Sequence, residues 1–172
     1  MKTSQAYYDA KTKSYWYMPL GKHEGELIPR LLFTHPHYIN WCLHNMTEGV
    51  GVKAVGSIKY FIGLFDRRPA RIRCQGRPGC REMARYLAVK PAVKLAHPKY
   101  VCSRCVPEVK GYGLIETYGE ALEFVEKYCR GSIVEFSKVI KYLSQGKGWR
   151  DKGKTTDMKV IRFFGLNGNH NR

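Results

Sequence analysis

A chain of 172 residues has room for one compact domain or two small ones. Its 44% apolar and 13% aromatic content excludes a disordered polymer, and no apolar run approaches the ~20 residues of a membrane span. Thirty Lys and Arg against fourteen Asp and Glu leave a formal charge of +16, which points to a polyanion, most simply nucleic acid.

The opening stretch MKTSQAYYDAKTK has no apolar heart of a secretory signal, so the expected location is the cytoplasm, that of a host cell if the chain is viral. Tyr15-Trp16-Tyr17-Met18 reads as an aromatic strand that enters a turn at Pro19 and Gly21. Gly21-Lys22-His23-Glu24-Gly25 is a glycine-bounded polar loop, and Ile28 to Phe33 a short apolar stretch. His35-Pro36 marks a helix start, because proline suits the first helical position. That helix carries Tyr38, Ile39, Trp41, Cys42 and Leu43 and ends near Asn45. Residues 49–57 are glycine-rich and read as a loop or hairpin. Ile58 to Phe65 reads as an apolar strand, closed by the turn Asp66-Arg67-Arg68-Pro69. Further on, Thr117 with Glu120 and Ser132 with Glu135 are capping-box patterns. Behind them run two helical stripes: Tyr118, Ala121, Leu122, Val125, Tyr128, then Ile133, Phe136, Val139, Ile140, Leu143. Only Arg130-Gly131 separates them, so a helical hairpin is expected.

Charge is concentrated. Residues 67–110 carry twelve bases and two acids, net +10, against +2 for 1–66, −1 for 111–145 and +5 for 146–172. The same block holds Cys74-x5-Cys80 and Cys102-x2-Cys105, with Gly76, Pro78 and Gly79 inside the first pair. Two such turns bring four thiolates around one ion, the arrangement of a four-cysteine zinc ribbon or treble-clef finger. Arg71-Ile72-Arg73 and Tyr100-Val101 would be the strands leading into the two turns. The spacer of five is longer than usual, and His97 is a spare donor. A disulfide framework and an iron–sulfur cluster are the rivals, disfavoured by the absence of a secretion mark and of other redox features. A segment so poor in large apolar side chains needs the metal to fold. Structural zinc on four thiolates lowers the formal charge to about +14. Cys42 and Cys129 are read as buried thiols.

Met18-Pro19-Leu20-Gly21-Lys22-His23-Glu24-Gly25, with Ile28-Pro29 and Pro36-His37-Tyr38-Ile39-Asn40-Trp41, resembles the exonuclease-X-like C-terminal domain. That domain also occurs in small phage and bacterial proteins described as quorum-sensing-regulated virulence factors. The likeness covers residues 14–45, and Leu20 stands where the family usually has Phe. It implies an accessory domain attached to nucleases, with a nucleic-acid role. The residues allow two readings. Gly21 and Gly25 let backbone approach a phosphate, with Lys22 and His23 as donors, or they only shape a turn. Trp41 is expected in the core.

No Asp-x-Glu occurs, so a two-metal exonuclease set is missing. Asp66 with Glu108-Val109-Lys110 is a weak nuclease pattern. Gly146-Lys147-Gly148 is not a phosphate-binding loop, and His35 and His37 near Cys42 suggest no triad. The expectation is therefore an α+β chain in four segments: a small exonuclease-X-like domain (1–66), a zinc module (67–110), a helical hairpin (111–145) and a basic tail (146–172). The expected function is a non-enzymatic, nucleic-acid-binding accessory protein of phage or bacterial type, with DNA ahead of RNA and no membrane partner. Its phosphate contacts would be Lys22, His23, Arg67, Arg68, Arg71, Arg73, Arg77, Arg81 and Arg85, with Arg81 and Arg85 on one face of a helix after Cys80. The rivals are a protein-interaction subunit or inhibitor of a nucleic-acid-processing complex, and a small metal-dependent nuclease.

Overall fold

The computed structural model describes residues 8–9, 14–150 and 153–166. The chain is α+β and divides into two compact units, one of residues 1–65 with 151–172, the other of residues 66–150. The segments expected as zinc module and helical hairpin thus fold together. No helix among the described residues is long and apolar enough to cross a membrane.

The first unit begins with a short antiparallel pair, β1 (Tyr8–Asp9) and β2 (Ser14–Tyr15). The chain then makes a turn over 19–25, tied across its base by Met18 N–H to Glu26 O at 2.8 Å and Gly25 N–H to Met18 O at 2.9 Å. Two helices follow, α1 (Ile28–Thr34) and α2 (Pro36–Asn45), each with proline in its first turn, where the missing N–H is no loss. The expected start and end of α2 are both observed.

Residues 49–65 depart from expectation. The glycine-rich loop and the apolar strand are one helix, α3 (Gly49–Asp66). Its buried positions include Gly51, Ala54, Ile58, Phe61 and Phe65, a stripe at spacings of three and four that is helical rather than alternating. The glycines cost helix propensity, up to about 1 kcal/mol each; the buried stripe outweighs them. A Cβ on Gly56 or Gly63 would meet nothing within 4 Å.

The expected basic tail contains a helix, α6 (Asp157–Phe164), capped by Thr156 at its start and by Gly165 at φ +67°. Residues 151–152 and 167–172 of that tail lie outside the described residues. α6 is amphipathic and belongs to the first unit. Phe163 meets Phe33 edge-on at 5.4 Å, Phe164 meets Phe61 at 6.1 Å, and Arg30 pairs with Asp157 at 3.3 Å. Edge-to-face contacts of this kind stabilise beyond the area they bury.

The second unit is a three-stranded antiparallel sheet with a helical hairpin. β3 (Tyr86–Val89) runs in the middle, between β4 (Lys99–Val101) and β5 (Gly113–Ile115). A 3-10 helix, Ser103–Val109, follows β4. The segment Arg71–Arg73 contributes only an isolated bridge, Arg73 to Met83, and not a strand. α4 (Tyr118–Cys129) and α5 (Ile133–Gly146) form the expected hairpin, turning through Arg130 at φ +54° and Gly131 at φ +64°. Leu122, Val125, Phe136 and Ile140 are buried, as expected.

The two caps differ. Thr117 and Glu120 form a complete capping box, and Asp66 Oδ1 accepts the Tyr118 N–H at 2.7 Å, so carboxylates meet the positive end of α4. Ser132 makes no side-chain cap, and the Glu135 side chain is used elsewhere. Its carboxylate accepts Leu95 N–H and Lys138 Nζ, each at 2.8 Å, and pins the loop between β3 and β4. Ile133, expected in the stripe, is 57% exposed.

Candidate functional site

The four cysteines singled out by spacing, Cys74, Cys80, Cys102 and Cys105, come together, with all four Sγ atoms within 4.8 Å of one another. Cys80 Sγ and Cys102 Sγ lie 3.8 Å apart. Sulfur atoms about 2.3 Å from a central ion at tetrahedral angles are separated by about 3.8 Å; a disulfide would need about 2.05 Å. All six cysteines are free thiols. The group could therefore hold a metal ion, and its dimensions are consistent with one such as zinc. His97 is exposed and stands outside the group.

The local backbone explains the convergence. Cys74 N–H donates to Glu82 O at 2.9 Å and Gln75 N–H to Tyr100 O at 2.7 Å, which ties the first turn to the end of β4. The 3-10 helix starts at once after Cys102, and Cys105 N–H returns to Cys102 O at 3.0 Å. Gly76 is required here: a Cβ at this position would lie 2.4 Å from Cys105 Cβ. Ala88 and Val101 of the sheet and Val109 of the 3-10 helix share one buried cluster with Cys74, Cys102 and Cys105.

The electrostatics suit a cation. Burial raises the Cys74 thiol, but N–H groups of Cys102 and Gly76, each 3.3 Å from its sulfur, bring it down to about 7. Burial, then the neighbouring thiols, push Cys105 up to about 12. Four sulfurs this close cannot all ionise against one another, and a dication removes that penalty. Cys42 and Cys129 are the buried thiols expected; burial pushes the first to about 11, and the second donates to Ala92 O at 3.2 Å.

Around this group the arginines are mostly free. Arg67, Arg71, Arg73, Arg77 and Arg81 are not fully buried and form no ion pair with another described residue. Arg68 is half-buried, and burial followed by the like charge of Arg71 lowers its pKa. Arg85 pairs with Glu116 at 3.0 Å, and Arg104, not singled out from sequence, pairs with Glu82 at 3.2 Å. Arg81 and Arg85 do not share a helix face; the segment is irregular, broken by the Met83 bridge.

In the first unit, Lys22 is exposed on its turn but His23 is buried and donates Nδ1–H to Glu26 at 2.7 Å. A ring committed to an internal carboxylate is not an open phosphate donor, which corrects one of the two readings. Trp41, expected in the core, is 51% exposed and stacks on the ring of Tyr38 at 5.9 Å. Neither Asp66, which caps α4, nor Glu108 belongs to a group of three ligating side chains among the described residues. One such group was missed in the sequence: His23, Glu26 and His35. Its only trace there is three ligand-type residues around a short apolar helix.

Compared with protein-family models, curated proteins and solved structures, the chain matches none.

Proposed function

We propose that this chain is a zinc-containing, nucleic-acid-binding accessory protein that holds the phosphate backbone through the arginines of its four-cysteine module. The observation that carries the reading is the set of five arginines without ion-pair partners among the described residues, Arg67, Arg71, Arg73, Arg77 and Arg81, on the segment the thiols organise. Arginine meets phosphate bidentately with a pre-organised fork, so little further ordering is needed. The zinc is structural: four protein sulfurs leave no open position for catalysis. The resemblance of residues 14–45 to the exonuclease-X-like C-terminal domain supports an accessory role beside a nuclease, and Lys22 is an exposed cation within that stretch.

The test is binding to duplex and single-stranded DNA and RNA across salt concentrations. Parent affinity should fall steeply between about 50 and 200 mM salt. Replacing Arg73, Arg77 and Arg81 together by Ala should flatten the log–log slope by about 2.7 for duplex DNA, roughly 0.9 per phosphate contact. Unchanged affinity and slope, or no binding at low salt, overturns the reading. A second reading, a protein-interaction subunit, is favoured by Trp41, since a half-exposed tryptophan braced by a stacked tyrosine is the form of an interface anchor. Binding of a protein partner that is insensitive to salt and lost in Trp41→Ala would select it.

A further inference from the structure

The geometry points to a second metal site in the first unit, formed by His23, Glu26 and His35 and suited to a borderline divalent ion of the zinc class. One ligating atom from each of the three lies within 4.8 Å of the others. The imidazoles of His23 and His35 face at 4.3 Å between centroids with a 36° tilt. Tyr38 closes on His23 from another side at 4.5 Å.

The chemistry of each group fits. Without an ion, Glu26 accepts from His23 Nδ1–H at 2.7 Å; a bound ion takes the place of that proton, so His23 Nδ1 and the carboxylate become ligands together. His35 makes no side-chain hydrogen bond to another described residue, which leaves its nitrogen donors uncommitted. His37 stands 6.0 Å from His35 between ring centroids, with a buried Nδ1 that has no hydrogen-bond partner among the described residues. Two imidazoles and a carboxylate match ions that prefer nitrogen with some oxygen, and leave one position of a tetrahedron for water or an outside ligand.

The frame is pre-organised. His23 and Glu26 sit on one turn, in which Glu26 N–H donates to His23 O at 3.0 Å and Glu24 N–H to Gly21 O at 3.1 Å. Gly21 holds φ +84°, with the Tyr38 hydroxyl 2.9 Å from where its Cβ would be. His35 is fixed at the junction of α1 and α2, its N–H on Leu31 O and its carbonyl accepting from Tyr38 and Ile39. Ligating atoms within 4.8 Å of one another are close enough for side-chain adjustment to reach coordination distances. A site of this kind would clasp the polar turn to the helix junction and present a Lewis-acidic ion beside Lys22.

Cobalt distinguishes the two sites, because thiolate ligands give intense near-ultraviolet charge-transfer bands and imidazole–carboxylate ligands do not. Full-length chain, stripped with a chelator under reducing conditions, should take up two Co2+ ions, with the sulfur band saturating at one. His35→Asn and Glu26→Gln should weaken the second uptake by about tenfold or more and leave the sulfur band unchanged. Cys102→Ser with Cys105→Ser should abolish the band and spare one equivalent. Imidazole nitrogen spectra of the parent, recorded with and without one added equivalent of Zn2+ beyond the thiolate site, should show His23 and His35 shifting. A single ion fully accounted for by the sulfur band, or unmoved His23 and His35 resonances, overturns the assignment even if a variant fails to fold.

Discussion

Replacing Gly76 by alanine places a methyl carbon 2.4 Å from Cys105 Cβ. Carbon atoms rest at about 3.5–4.0 Å, so the two must part by more than about 1 Å. The obstructing atom belongs to a side chain held by its own sulfur and by the Cys105 N–H bond to Cys102 O, not to the free end of a flexible one. A metal site tolerates about 0.2 Å in its ligand distances, so the turn cannot open that far with all four ligands in place. Overpacking of this type costs about 1–3 kcal/mol, which at about 1.4 kcal/mol per decade is about a 5- to 150-fold loss of metal affinity. Competition with a chromophoric chelator measures it directly, and Gly119→Ala, where a Cβ meets nothing within 4 Å, is the control. Gly76→Ala binding within twofold of the parent would refute the reasoning about this turn.

Leu122 is 3% exposed within the α4–α5 hairpin, and Leu122→Ala should lower unfolding free energy by about 2–5 kcal/mol in urea titration; a change under about 0.5 kcal/mol would mean that the hairpin does not bury it. Glu135 is buried, which raises its pKa, but Lys138 and the Leu95 N–H outweigh burial and hold it below its ordinary value, with Lys94 adding to the effect. A carboxyl lowered in the folded state stabilises above its ordinary pKa and loses that contribution as pH falls through the folded value. Glu135→Gln should therefore cost about 1–3 kcal/mol at neutral pH, with the gap to the parent narrowing as the carboxylate protonates in parallel urea titrations at acid pH.

The cysteines were legible because paired spacing with glycine and proline between carries its own geometry, and the sulfur group formed where the spacing put it. The hairpin was legible for a related reason: the Thr117–Glu120 box and the stripe agree, level upon level. α3 was not. Its glycines are strong local signals, and the tertiary burial of Ala54, Ile58, Phe61 and Phe65 is invisible to a local reading until the spacing is counted. Trp41 misled in the opposite sense, because an aromatic on a helix carrying Ile39 and Cys42 gives no sign of which neighbours leave it uncovered. The arginines were legible as charge, but not as partners. Glu116 and Glu82 engage Arg85 and Arg104 from 31 and 22 residues away. His23 and His35 meet only because a turn and a short helix fold back, a coincidence in space with no spacing rule.

α6 joins the unit that begins the chain, although all of residues 66–150 come between. During synthesis at about 5–20 residues per second, Phe33, Phe61 and Phe65 emerge before the 85-residue insert. Phe65, the last of them, then waits roughly 5–20 seconds for Phe163 and Phe164 to complete the cluster. The inserted unit carries its own sheet, hairpin and sulfur group and can mature meanwhile, whereas the enclosing unit holds an unfinished aromatic face until the last of its helices arrives. A chaperone that prefers exposed aromatics would thus meet this chain at residues 28–65 rather than at its cysteine-rich middle, and the enclosing unit closes last.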